Sequence, residues 1–205
     1  MTDDAGTTSA DPLTRLARAC GFLLHPLVIG TPPALYVGIR EFGGWSDITL
    51  RLTVQVTFLA VLAPAAYLVY LFRSGRTSDV FMSLREDRRY IFPIGMFNLV
   101  LVYITFRYHG ATDLIQNVVL AAMLVMAAMH TGTLFSKPSM HTAGNAGIFT
   151  AIAICETTAV IPAGIALTAL VMWSRVRDRR HTVPEVFQGL AIGVAGSAVP
   201  LLLLQ

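Results

Sequence analysis
Two histidines of this chain stand in settings suited to phosphoryl chemistry: His141, within Lys137-Pro138-Ser139-Met140-His141, and His181, between Ser174-Arg175 and Glu185. Glu185 follows His181 by four residues, one turn if the segment is helical, so its carboxylate can hold one ring nitrogen and fix the tautomer. The other nitrogen is then left as a nucleophile. His141, beside Ser139 where a helix opens, can donate or accept a proton near neutral pH, since an unperturbed imidazole titrates at ~6.5. The plainer readings are a His141 that satisfies backbone groups at a helix end and an exposed His181–Glu185 pair on an interfacial helix.

Cations accompany both histidines. Arg85, Arg88 and Arg89 lie in one short charged run with Pro93 beyond it, Lys137 precedes Pro138-Ser139, and Ser174-Arg175 opens the last segment. Guanidinium groups present planar forks of donors that match phosphate oxygens. The amides of Met140 and His141 at a helix opening add dipoles that favour an anion. Interfacial anchoring explains any one of these arginines. Three such segments, two of them with His and Ser, point to a shared anion site. No disulfide framework or zinc-ligand spacing is present, and no carboxylate cluster stands near the histidines, so neither metal nor cofactor is expected.

Apolar helices must bring the three segments together. The 205 residues are 55% hydrophobic and only 13% charged, with a mean hydropathy of +0.64, against about 25% charged residues in an ordinary soluble domain. The expected fold is an all-α, polytopic transmembrane helix bundle. A span needs ~20 apolar residues, and stretches of that kind cover residues 19–39, 52–72, 90–106, 114–136 and 186–204. Residues 142–173 are too long for one pass and divide at Glu156, with a kink expected at Pro162, giving about six to seven spans. Residues 1–12 read as a disordered tail without the basic start of a signal peptide, and residues 13–205 as one membrane domain.

Alternating the spans gathers Arg15, Arg18, Arg73, Arg76, Arg85, Arg88, Arg89, Lys137, Arg175, Arg177, Arg179 and Arg180 on one side, and leaves Arg40, Arg51 and Arg107 on the other. By the positive-inside rule the rich side, which carries the motifs, is cytoplasmic. A formal charge of +3 without any nucleic-acid motif argues against a nucleic-acid partner. His25, Asn98, Gln116, Asn117, His130 and Asn145 lie in or near spans, where polar residues usually face the bundle interior. Gly189, Gly193 and Gly196 have the spacing that seats one helix closely on another.

The motifs resemble those of the type 2 phosphatidic acid phosphatase and vanadium haloperoxidase superfamily, whose pattern is Lys, six residues, Arg-Pro; then Pro-Ser-Gly-His; then Ser-Arg, five residues, His, three residues, Asp. Here the third part runs from Ser174-Arg175 through His181 to Glu185 with its spacing intact and Glu for Asp. The second is Pro138-Ser139-Met140-His141, with Met for Gly. The first is degenerate: Arg85, six residues, then Phe92-Pro93, with Arg88 or Arg89 able to supply the missing cation. The likeness covers residues 85–189, and compact prokaryotic members look closest.

The resemblance implies a membrane-embedded, metal-independent phosphatase acting on a lipid or isoprenoid phosphate. By that analogy His181 attacks phosphorus, Glu185 orients it and His141 protonates the leaving alkoxide. Arg85, Arg88, Arg89, Lys137, Ser139, Ser174 and Arg175 would cradle the phosphate oxygens. A phosphotransferase on the same scaffold shares the phosphoenzyme and is the first alternative; a lipid-binding or transport protein with a decayed site, suggested by Met140 and Phe92, is the second. The particular lipid and the oligomeric state are left open by the residues.

Overall fold
The computed structural model describes residues 11–44, 46–77, 85–89 and 91–204, apart from a few side chains that include Arg89. Residues 1–10 of the expected tail therefore lie outside the described residues. All regular structure among the described residues is helical.

Helix α1 (Pro12–Leu23) opens with proline in its first turn, and the Asp11 carboxylate accepts from the Thr14 amide at 2.8 Å, a cap that satisfies one orphan donor. The expected first span is broken: α1 and α2 (Pro26–Glu41) meet at 41°. Pro26 is the cause, because its ring drives the preceding residue out of helical backbone, and His25 has ψ of 135°. His25 then caps α2, its Nδ1 accepting from the Leu27 amide at 3.2 Å.

Helices α3 (Asp47–Thr57) and α4 (Ala63–Arg73) are joined by a π turn at Phe58–Leu62. Pro64 has no N–H with which to continue the ladder, and the Ala63 amide reaches back to the Phe58 carbonyl, which absorbs one extra residue. A 3-10 turn at Glu86–Arg89 leads into α5 (Ile91–Tyr108), followed by α6 (Asp113–Phe135) and α7 (Met140–Cys155). The division expected at Glu156 is where α7 stops. Helix α8 (Ile161–Arg177) carries Pro162 in its first turn instead of at a kink, where a missing N–H costs nothing. The last helix is α9 (Val183–Leu203).

Among the described residues four runs, Glu86–Tyr108, Asp113–Phe135, Thr158–Arg177 and Val183–Leu203, are long and apolar enough to cross a membrane, and the bent α1–α2 pair would make a fifth. The expected count of six to seven is not reached on length and composition. With 16 residues, α7 is short of a full span, and the π turn interrupts α3–α4.

At one end Arg40 grips Glu156 through two bonds of 2.5 Å, Glu41 accepts from the Thr112 amide, and Asn117 donates to the Leu204 carbonyl at 2.9 Å. The three motif segments meet at the other end. A cluster of Leu71, Ile91, Phe92, Met129 and Ala143 lies beneath them. Helix α9 sits on α7 with almost no space between: a Cβ on Gly189 or Gly193 would collide with the carbonyls of Ser139 and Ala143, and one on Gly196 would press on Val125 of α6. His130 departs from expectation, since it is exposed on α6.

Candidate functional site
The turn between α8 and α9 presents His181. Helix α8 ends with Asp178 as its cap and Arg179 in the left-handed region at φ 56°. The amides of Arg180 and His181 then both return to the Arg175 carbonyl, at 3.0 and 3.2 Å. This reversal points the imidazole back under the bundle. Across the next turn, Glu185 in the first turn of α9 accepts from the Thr182 amide at 3.0 Å, half of a capping box.

The same oxygen, Glu185 Oε2, lies 3.1 Å from His181 Nδ1, and the Lys137 carbonyl lies 3.2 Å from it. Both neighbours are acceptors only, so Nδ1 carries the proton and Nε2 keeps a lone pair. Arg88 Nη2 stands 3.5 Å from Nε2, while its Nη1 donates to the Pro138 carbonyl at 2.6 Å. Burial, with the charges of Arg88 and Lys137 next, holds His181 below its ordinary value of 6.5, against the opposing pull of Glu185. The ring is thus neutral at pH 7, with one nitrogen held and the other available.

His141 occupies the first turn of α7, and its Nε2 is buried without a hydrogen-bond partner among the described residues. Its ring meets that of His25 edge to face, with centroids 4.6 Å apart. Arg175, 6% exposed, lies beneath Gly21 of α1, where any Cβ would collide with its guanidinium. Lys137 Nζ donates to the Arg180 carbonyl at 2.9 Å.

These residues form the head of one cavity of about 600 Å³. His25, Arg88, Lys137, His141, Arg175, Arg180 and His181 line its polar end. The remainder is mostly apolar, passing Phe92, Met126 and Met129 and reaching Phe106 and Phe42 at the opposite end of the bundle. A second, outward-facing pocket of about 350 Å³ is bounded by Lys137, Arg179, Arg180, His181, Thr182 and Glu185. His181, Lys137 and Arg180 therefore border both spaces.

The expected site residues separate into two groups. His181, Glu185, His141, Arg88, Lys137 and Arg175 come together. Arg85 is exposed and reaches the Leu134 carbonyl at 3.4 Å, away from the cavity. Ser139 and Ser174 are fully buried and line neither space: Ser139 Oγ accepts from the Thr142 amide at 3.4 Å as the cap of α7, and Ser174 donates to the Val171 carbonyl at 2.8 Å. Their place is helix closure, which corrects the expectation that they hold phosphate. The Arg89 side chain lies outside the described residues. Sequence reasoning missed His25 and Arg180. Arg180 directly precedes His181 and so shares its turn, whereas the signal for His25 was Pro26, whose break aims it inward.

No family model matches the chain, and no curated protein or solved structure is similar to it at a significant level.

Proposed function
We propose that the protein is an integral membrane phosphatase that removes phosphate from a lipid or prenyl phosphate through a phosphohistidine. One observation carries this reading: a buried imidazole held at Nδ1 by two acceptors turns its Nε2 toward Arg88 at the cationic head of an apolar cavity. The apolar tail of the substrate lies in the cavity and its phosphate lies among Arg88, Lys137, Arg175 and Arg180. Phosphoryl transfer depends on positioning and charge stabilisation, which such a ring of donors supplies.

The Nε2 lone pair of His181 forms the N–P bond as the P–O bond to the lipid breaks. His141, made protonated by the arriving dianion, transfers its proton to the departing alkoxide. Water then attacks phosphorus, His141 takes its proton, and the N–P bond breaks to release phosphate and restore His181. The outward pocket gives water a path to His181 separate from the tail, which favours hydrolysis over transfer to a second alcohol. No three His, Cys, Asp or Glu among the described residues converge as ion ligands.

The proposal extends to topology. The α3–α4 run and α7 also traverse the bilayer within the bundle, giving six to seven spans in a prokaryotic cell membrane. The arginine-rich motif end faces the cytoplasm. The test is phosphate release by purified protein from a panel of lipid phosphates. His181→Ala abolishes release, a loss of several powers of ten; near-normal turnover in that variant sinks the covalent mechanism.

A further inference from the structure
The tail cavity is not uniformly apolar. Asn98 lines it, is 5% exposed, and its Nδ2 has no hydrogen-bond partner among the described residues. It stands seven residues after Ile91, the first residue of α5. At ~1.5 Å per residue that is ~10 Å along the axis, and α5 begins directly after the turn that carries Arg88. A buried carboxamide with an unused donor is costly unless a ligand engages it. An alkyl side chain there would serve a hydrocarbon tail better.

Resting on the phosphatase reading above, we propose that Asn98 is a second recognition point that donates to an ester carbonyl. The substrate is then an ester-linked glycerolipid phosphate, not an isoprenyl phosphate. In a diacylglycerol phosphate the ester carbonyls hang one glycerol backbone below phosphorus, the first polar atoms reached on descending from the cationic head. An isoprenyl phosphate has only hydrocarbon below its phosphate and would leave the amide buried and unpaired. Ser197, 4% exposed, lies on the cavity wall as well, and Thr31, Thr49, Thr53 and Thr57 also line it, so hydroxyls accompany the amide in a mostly apolar interior. Sites built around a hydrogen bond reject analogues that lack the partner far more strongly than apolar pockets reject a change of size.

The experiment compares three substrates on the full-length protein: a diacyl phosphatidate, its dialkyl ether analogue with the same chains, and a polyprenyl phosphate. Phosphate release and direct binding in detergent are both measured. Wild type is expected to favour the ester over the ether by about tenfold in kcat/KM and in affinity, the worth of one well-made hydrogen bond. Asn98→Leu brings that ratio to near one by weakening the ester alone, and raises the thermal midpoint of the ligand-free protein because a buried unpaired amide is gone. Asn98→Ser, which keeps a donor, retains part of the preference. A wild-type ratio near one overturns the proposal even if the leucine variant fails to fold, as does a preference for the prenyl phosphate. An unchanged ratio in Asn98→Leu does so as well and leaves the amide as a holder of water. Absence of release from all three sinks the phosphatase reading instead. Binding still decides the subsite, which stands if ester preference is lost in Asn98→Leu and falls if ester and ether bind equally.

Discussion

The backbone amide of Ser139 donates to the backbone carbonyl of Glu185 at 3.0 Å, fastening the start of α7 to the start of α9. Glu185 thereby references both histidines: its main chain fixes the helix that carries His141, and its carboxylate fixes the ring of His181.

Glu185→Gln separates these two tasks. The main-chain bond survives, while the amide that replaces the carboxylate offers a donor as well as an acceptor and no longer dictates which nitrogen bears the proton. The expected loss in kcat is up to ~10⁴-fold, the cost seen when a carboxylate that orients a catalytic imidazole becomes an amide, with little change in KM. Glu185→Asp, an acid one methylene shorter, retains much more activity. Steady-state kinetics of the two variants check this, and equal losses would reduce Glu185 to a helix cap.

The depressed pKa of His181 sets the direction of the pH response. In the proposed mechanism its neutral form is the nucleophile, so kcat/KM holds as pH falls below 6.5, and the acid limb, after the ionisation of the substrate is divided out, lies lower. Stability follows the same direction: in the unfolded chain the imidazole binds its proton near 6.5, before the folded one does. Stability is therefore full above that pH and declines as pH drops toward the folded value. Thermal midpoints from pH 8 to pH 5 should show the decline, and His181→Gln should flatten it. An acid limb at or above 6.5 contradicts the assignment.

Gly193→Ala should lower stability by about 1–3 kcal/mol, the usual result of forcing extra atoms into a packed contact, because its Cβ meets the Ala143 carbonyl. Gly38→Ala adds the same methyl where nothing lies within 4 Å, so it should be neutral or stabilising by up to about 1 kcal/mol. Thermal unfolding in one detergent compares them. Similar losses at both positions would mean that the α7–α9 contact is looser than described.

Orientation is open to labelling in a Cys20- and Cys155-free background. Asp178 is a poor reporter because its side chain is only 6% exposed beneath Arg18. Ser74, exposed after α4 at the motif end, and Asp113, exposed at the opposite end, are better. A cysteine at Ser74 should resist an impermeant thiol reagent in intact cells and react after permeabilisation, with the reverse for Asp113. Labelling of Ser74 from outside reverses the orientation and places the substrate in the outer leaflet.

The helical class and the meeting of the motif ends were legible because apolar run length and charge placement are properties of sequence. Glu156 was legible as a boundary because a lone carboxylate in an apolar stretch needs a partner, and it has one in Arg40. The bend at His25 was not, since Pro26 and the prolines at 32 and 33 all lie in one apolar stretch and only packing decides which becomes a break. Nor could sequence divide Arg85 from Arg88. The two lie three residues apart, and the 3-10 turn buries Arg88 to 3% exposure while Arg85 remains on the surface. Ser139 and Ser174 misled for a related reason, because a hydroxyl at a helix end serves the backbone as readily as a ligand.

With Gly189 and Gly193 pressed onto the main chain of α7, the spacing between the two histidine-bearing turns is set by backbone on backbone rather than by exchangeable side chains. Bilayers differ in thickness, and helices at the periphery of a bundle tilt to follow them. For the proposed phosphatase, moving the protein from thin to thick membranes should then alter how a lipid tail is accommodated while the bond-breaking geometry keeps its register.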